Sequence, residues 1–290
     1  MSAGDQPYAS WWHDGTEAPA FRMAYDMASV RRETTVRHDV EVFEHPRFGR
    51  ALAVDGVLQS VEQDAAHREM LVHVPVLGRA RRPCRALVVG EDATVVAELL
   101  KHDFVATVGV SVDDPALFEI SAEAFGVARV MLDPRVAVRR PAVGESLADF
   151  GGALFDVVFA AAADLRRPAP AGSTRATTLH DALATRLAPD GVIADCDLAL
   201  LARTGPWWYR DPPGAGRSLL AAVRYGGALP SMERYFTTSP LALGGFLGFF
   251  LYSKSATSCA EPRSGFDGAH YNVDLHRAAF ALPTFWKDLP

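Results

Sequence analysis

Cysteine is scarce in this chain. Cys84, Cys196 and Cys259 stand alone, with no Cys-x-x-Cys spacing and no even set that would form a disulfide framework. A reduced, cytoplasmic setting is the expectation. No secretion signal is expected either, because Met1-Ser2-Ala3-Gly4-Asp5-Gln6-Pro7 has neither a basic start nor an apolar run. The longest apolar stretch, Leu241 to Tyr252, is far too short for a bilayer and contains glycines. It is predicted to be a buried strand pair around a Gly-rich bend, and no membrane partner is expected. There is no basic excess either. The formal net charge is -6, which argues against a nucleic-acid binder. Arg79, Arg81, Arg82 and Arg85 make the one basic cluster, read as a solvated loop in preference to a phosphate or RNA site. His67 and His73 are not four apart, so they are no zinc pair on a helix, and a packing or surface role is expected of both.

What is present is a large apolar fraction: 49% of 290 residues are hydrophobic, enough for a real core in one large domain or two smaller ones. From Val36 to Gln59 the pattern is β, and Ala51-Leu52-Ala53-Val54 runs into Asp55-Gly56, a hairpin signal. A helix is predicted from about Asp64 to Leu77, with Met70, Leu71, Val74 and Leu77 at helical spacing. Beyond Pro83 the rhythm is strand, turn, helix. Ala86-Leu87-Val88-Val89 ends at Gly90, and Thr94 to Lys101 reads as a helix. Val105 to Val112 is β-rich and leads into Asp113-Asp114-Pro115, a helix start. Val136-Ala137-Val138 and Asp156-Val157-Val158-Phe159 are read as further buried strands. A helix from about Thr177 to Leu187 is expected to stop at Pro189-Asp190-Gly191, with Val192-Ile193-Ala194 resuming the sheet. Tyr235 to Tyr252 is strand-like again, as at an antiparallel edge, and Leu165 to Thr178 reads as a loop, a candidate lid. Alternating β and α of this kind implies a parallel sheet covered on both faces, whose ligands sit at the carboxyl ends of the strands near the switch in strand order.

The residues at those places carry a family resemblance. Phe48-Gly49-Arg50, Val54-Asp55-Gly56-Val57-Leu58-Gln59, Glu62-x-Asp64 and Glu69-Met70-x-x-His73-Val74-Pro75 follow one another. Tyr271-Asn272, His276 and Ala278-Ala279-Phe280-Ala281-Leu282-Pro283 stand near the end. In this order, from about Trp12 to Pro283, they resemble the polyamine aminopropyltransferases of the spermidine synthase type. The resemblance implies an α/β fold: a Rossmann-like, S-adenosylmethionine-type sheet over residues 63–290 with a small N-terminal β domain over 1–62. It also implies transfer of an aminopropyl group from decarboxylated S-adenosylmethionine, a co-substrate, to putrescine or a related amine. No bound cofactor or metal, and association into a homo-oligomer, belong to the same expectation.

Carried over residue by residue, the resemblance places Asp92 where the family binds the amine end of the donor. Gly90-Glu91-Asp92-Ala93 replaces a Gly-Gly-Gly-Asp-Gly loop. Ser111 stands where an acid grips the ribose hydroxyls, and Asp113 is left either to serve in its stead or to cap the next helix. His38 falls on a glutamine that touches the nucleoside, and Gln59 is kept among the substrate-binding positions. The acid of the pair that frames the adenine is missing near Pro141-Ala142. Arg68 replaces a histidine that contacts the cationic substrate, and its fixed charge is expected to repel a polyamine by up to a few kcal/mol in a dry site. Ala161 occupies the proton-acceptor position, leaving Asp164 either as the catalytic candidate and amine ligand or as a loop residue. Pro168 matches a proline lining the nucleoside pocket. Three readings follow: a working aminopropyltransferase, a non-catalytic relative that assembles with an active paralogue, and a transferase repurposed for an anionic or neutral acceptor held by Arg68.

Overall fold

A computed structural model describes residues 12–13, 23–79, 82–140, 150, 152–160, 183–195, 229–239, 241 and 245–284. Strands β1 (Trp12–His13) and β2 (Ala24–Tyr25) pair antiparallel ahead of a four-stranded antiparallel sheet. That sheet runs β3 (Ala28–Thr34), β4 (Asp39–His45), β5 (Gly49–Val54), β6 (Val57–Val61) in spatial as in chain order. Ala51, Leu52, Ala53 and Val54 are all buried, because both faces of β5 are covered. Leu52 and Val54 join Val40 and Val42 against Leu117, Ile120 and Ala124. Ala51 and Ala53 join Phe43, Val61, Tyr25 and Met27 on the other face. Asp55-Gly56 closes the β5–β6 hairpin with both residues at positive φ, 51° and 75°, the backbone a two-residue primed turn needs.

Helix α1 (Ala65–Arg79) follows, started by Asp64, whose carboxylate accepts the Ala66 N–H at 3.1 Å. It packs on a seven-stranded sheet built from β7 (Cys84–Val89), β8 (Val105–Ser111), β9 (Val136–Arg139), β10 (Phe155–Ala160), β11 (Leu187–Asp195), β12 (Ser231–Thr238) and β13 (Phe246–Ser253). Their spatial order is β12-β13-β11-β10-β7-β8-β9. The chain thus fills one side of β7 and then crosses to β10 on the other. β7 to β11 are parallel, and β13 and β12 close that end antiparallel. Helices α2 (Ala93–Leu100) and α3 (Pro115–Ala124) return the chain between strands, and α4 (Val273–Ala279) lies near the C-terminus. The core unites Met70, Leu71, Val74 and Leu77 of α1 with Ala86, Val88, Val108, Val110, Val157 and Phe159 of the strands. Each large side chain buried this way contributes about 1.5–3 kcal/mol.

The motif residues near the chain ends tie the architecture together. The Glu69 carboxylate accepts the backbone N–H groups of Ala269, His270 and Tyr271 at 2.9, 2.8 and 2.8 Å. Burial alone would raise its proton affinity, but these donors outweigh it and hold the carboxyl below its ordinary range. His276 Nε2 lies 2.7 Å from the Cys259 carbonyl, which can only accept, so Nδ1 is the acceptor for the Tyr271 hydroxyl at 2.6 Å. Asn272 caps α4 through the Leu275 N–H at 2.8 Å.

Several local expectations change. Leu241 to Tyr252 is not a strand pair: β13 begins at Phe246, and its partner β12 lies upstream, Tyr235 opposite Phe249. β9 is a half-buried edge strand, not a buried one, because β8 covers its one paired side. The helix predicted to Leu187 ends at 186 among the described residues, and Leu187 already pairs with Phe155. Arg79 is not on a solvated loop. It is 2% exposed, donating to the carbonyls of Asp190 (2.8 Å), Ser255 (3.2 Å) and Thr257, and to the Ser253 hydroxyl. A continuous helix carries it inward, where a fan of oxygens replaces water. Arg82 and Arg85 are exposed, and Arg81 lies outside the described residues.

Candidate active site beside the strand-order switch

The carboxyl ends of β7 and β8 lie side by side, with Val89 in register with Ser111 and the Gly90 N–H donating to the Ser111 carbonyl at 2.9 Å. Gly90 has φ 131°, a conformation open to glycine and strained for other residues. This turn sends the next side chain sideways. Glu91, 6% exposed, reaches over the end of β8, where its Oε1 accepts the backbone N–H groups of Asp113 (3.0 Å) and Asp114 (3.3 Å). Burial raises its proton affinity above the ordinary carboxylate range. Those two donors and the nearby His38 oppose the rise, and the charge of Asp113 adds to it.

The N-terminal sheet closes this corner. Buried His38 holds Asp55 through Nδ1 at 2.9 Å, and Asp55 also accepts the Asp39 N–H at 3.0 Å. Thr35 donates its hydroxyl to the buried Asp114 carboxylate and accepts the His38 N–H at 2.9 Å. Asp114 in turn caps α3 through the Leu117 N–H at 3.2 Å. The loop between β3 and β4, the β7–α2 loop and the β8–α3 loop therefore meet around Glu91.

Of the residues named from sequence, His38, Ser111 and Asp113 come together here. Ser111 is buried, and Asp113 is exposed with its N–H on Glu91. The helix cap is Asp114, not Asp113, because the residue directly before Pro115 has the extended backbone of a cap (φ −126°, ψ 91°). Asp92 caps α2, accepting the Thr94 N–H at 3.0 Å and its hydroxyl at 2.6 Å. Gln59 is half-buried on β6, donating to the Val57 carbonyl at 3.2 Å. Arg68 is not a bare charge. Its Nε lies 3.4 Å from Glu98 Oε1, and it donates to the Val61 carbonyl at 3.4 Å. Glu98 is also 2.7 Å from Lys101 and 3.1 Å from His73. Burial works against its ionisation, but the His73 and Lys101 contacts bring its carboxyl down to about 2. Ala161, Asp164, Pro168, Pro141-Ala142 and the loop from Leu165 to Thr178 lie outside the described residues.

Sequence reading names Glu91 only within the altered glycine loop and Asp114 only within a helix start, gives neither a site role, and does not name Thr35. The available signal for Glu91 was its place directly after the glycine that ends a buried strand. For Asp114 it was the position next to Pro115. Among the described residues no group of three or more His, Cys, Asp or Glu is arranged to hold a metal ion, and no helix is long and apolar enough to cross a membrane.

Comparison with known proteins places this architecture. No protein-family model matches the chain. It is 30% identical over 265 residues to the spermidine synthase of Dictyostelium discoideum, covering 88% of both chains. It is 28% identical over 255 residues to a polyamine aminopropyltransferase of Leptospira biflexa, covering 86% of this chain and 85% of the relative. The crystal structure of a spermidine synthase in complex with the transition-state analogue AdoDATO superposes with a TM-score of 0.78. That superposition has 22% identity and covers 96% of this chain and 93% of that one. With a relative matched at this level over nearly the whole length, and the same fold, the chain belongs to the spermidine synthase family of polyamine aminopropyltransferases.

Proposed function

We propose that this protein transfers an aminopropyl group from decarboxylated S-adenosylmethionine to putrescine or a related amine. The observation that carries the reading is the match to a spermidine synthase over 88% of each chain. The acidic corner at the carboxyl ends of β7 and β8, beside the switch in strand order between β7 and β10, supports it. An alkyl amine, with a pKa of roughly 10, arrives protonated and must lose a proton before it attacks. Its nitrogen lone pair then forms a bond to the carbon beside the sulfonium. The carbon–sulfur bond breaks toward sulfur, and methylthioadenosine leaves. The chemistry needs a carboxylate to accept the proton, further carboxylates to hold ammonium ends and in-line positioning, and it needs no metal. In this reading Asp92 and Asp164 bind amine, and Asp164 or a water held by it accepts the proton that Ala161 cannot. His38, Gln59, Ser111, Asp113 and Pro168 line the nucleoside side. The Arg68 charge is partly offset by Glu98, a carboxylate it shares with Lys101. We assign residues 1–62 and 63–290 to separate domains, and a cytoplasmic homo-oligomer as the working form.

A second reading, a non-catalytic relative that assembles with an active paralogue, is favoured by one observation. The acids of the first loop are engaged inside the protein, Asp92 on Thr94 and Glu91 on the Asp113 and Asp114 N–H groups. Purified protein incubated with decarboxylated S-adenosylmethionine and putrescine decides between them, with methylthioadenosine and spermidine quantified by mass spectrometry. Product that disappears with Asp164→Ala supports turnover by a relocated base. No product with putrescine, spermidine or cadaverine, with activity appearing in Ala161→Asp, supports the non-catalytic reading.

A further inference from the structure

Glu91 stands apart from the other acids of the corner. Asp114 is taken by Thr35 and the Leu117 N–H, Asp55 by His38 and the Asp39 N–H, and Asp92 by Thr94. Glu91 is 6% exposed, and both of its hydrogen bonds among the described residues fall on Oε1. Those bonds fix the direction of the side chain and leave Oε2 as an acceptor without a donor among the described residues. Among the described residues Oε2 is not one of the polar atoms sealed from solvent without a partner, so it opens to the outside of the protein, where a water or a ligand O–H can donate to it.

The position indicates the kind of donor. In open sheets of this type a nucleoside lies across the carboxyl ends of the strands at the switch, and an acid ending the second strand binds a ribose hydroxyl. Here that strand end is Ser111, too short to span the same distance, and its carbonyl is joined to Gly90. Glu91, one strand over, brings a carboxylate to the same end. We infer that Glu91 is a specificity-determining residue whose Oε2 accepts a ribose hydroxyl of the bound nucleoside. The inference rests on the aminopropyltransferase reading and names one contact within it. With Oε1 already holding two N–H groups, a single hydroxyl is read.

Calorimetric titration of methylthioadenosine and its 2′-deoxy and 3′-deoxy counterparts tests this, using the whole chain and its Glu91→Gln variant. Glutamine keeps an oxygen for the Asp113 and Asp114 N–H groups and turns the other acceptor into a donor, and thermal unfolding checks that the variant is folded. The wild type is expected to prefer methylthioadenosine over one deoxy counterpart by roughly tenfold, and the variant to lose that preference. Nucleoside binding with the same preference in Glu91→Gln overturns the inference and leaves the transferase reading standing. Binding that appears only in Glu91→Gly overturns it too, because the side chain would then be a plug. A folded wild type that binds no nucleoside, with or without that side chain, removes the transferase reading and the inference together.

Discussion

The Glu69 carboxylate accepts the backbone N–H of Tyr271 at 2.8 Å across 202 positions of the chain. With the Ala269 and His270 N–H groups on the same carboxylate, this contact fixes the C-terminal segment onto α1 and orients Tyr271 toward His276. Glu69→Ala leaves buried donors unmatched, and a loss of about 3 kcal/mol or more is expected from urea denaturation. Gly268→Ala would place a Cβ against the Glu69 carboxylate, with an expected loss of about 1–3 kcal/mol. In Glu69→Ala that clash disappears, so the two losses should be less than additive.

Acid sensitivity follows from the buried pair between α1 and the turn that follows α2. His73 Nδ1 and His102 Nε2 are 3.0 Å apart. Burial, then the neighbouring His73, holds His102 at about 4 rather than 6.5. The unfolded chain therefore takes up this proton first, and stability should fall as pH drops from about 6.5 to about 4. Glu98, brought down to about 2 from 4.5, contributes stability that is present above 4.5 and lost as pH falls toward 2. Urea midpoints measured from pH 7 to 3 should show both phases. His102→Gln should reduce the slope of the upper phase and leave the lower one.

Glu91 is held in an unfavourable setting when no ligand is bound. Its folded-state proton affinity is raised above 4.5 by burial, so its contribution to stability is present below 4.5 and lost as pH rises through the higher folded value. Glu91→Gln should therefore raise the thermal midpoint of the ligand-free protein at pH 7, by on the order of 2–4 °C per kcal/mol regained. At pH 4 the gain should vanish. A stabilising substitution that weakens binding is the usual trade at a ligand site.

Thr35 joins the N-terminal sheet to the β8–α3 loop. Thr35→Val removes its hydroxyl from Asp114 and from the His38 N–H, and a loss of about 1–3 kcal/mol is expected. Thr35→Ser should restore most of it. If the corner is the nucleoside site, Thr35→Val should also weaken methylthioadenosine binding while Thr35→Ser does not.

Much of the fold was readable one segment at a time. Strand β7 was legible because Ala86-Leu87-Val88-Val89 is an apolar run closed by glycine. The Asp55-Gly56 turn and the Pro115 helix start carry equally local signals. The site was less readable. Asp92 and Asp113 were placed at the correct strand ends, but the carboxylate that crosses between those ends belongs to Glu91, a choice made by a single glycine φ and the β7–β8 register.

What the sequence by itself determined is the alternation of strands and helices, their main caps and turns, and the family motifs that hold the frame. These follow from periodicity and from backbone preferences that act within a few residues. The tertiary structure alone decided that Arg79 is buried among carbonyls, that Arg68 pairs with Glu98, and that Thr35, His38 and Glu91 share one corner. Each of these depends on which distant side chains the strand order brings within hydrogen-bonding or ion-pairing distance, and a carboxylate or guanidinium carries no record of its partner in its own neighbourhood.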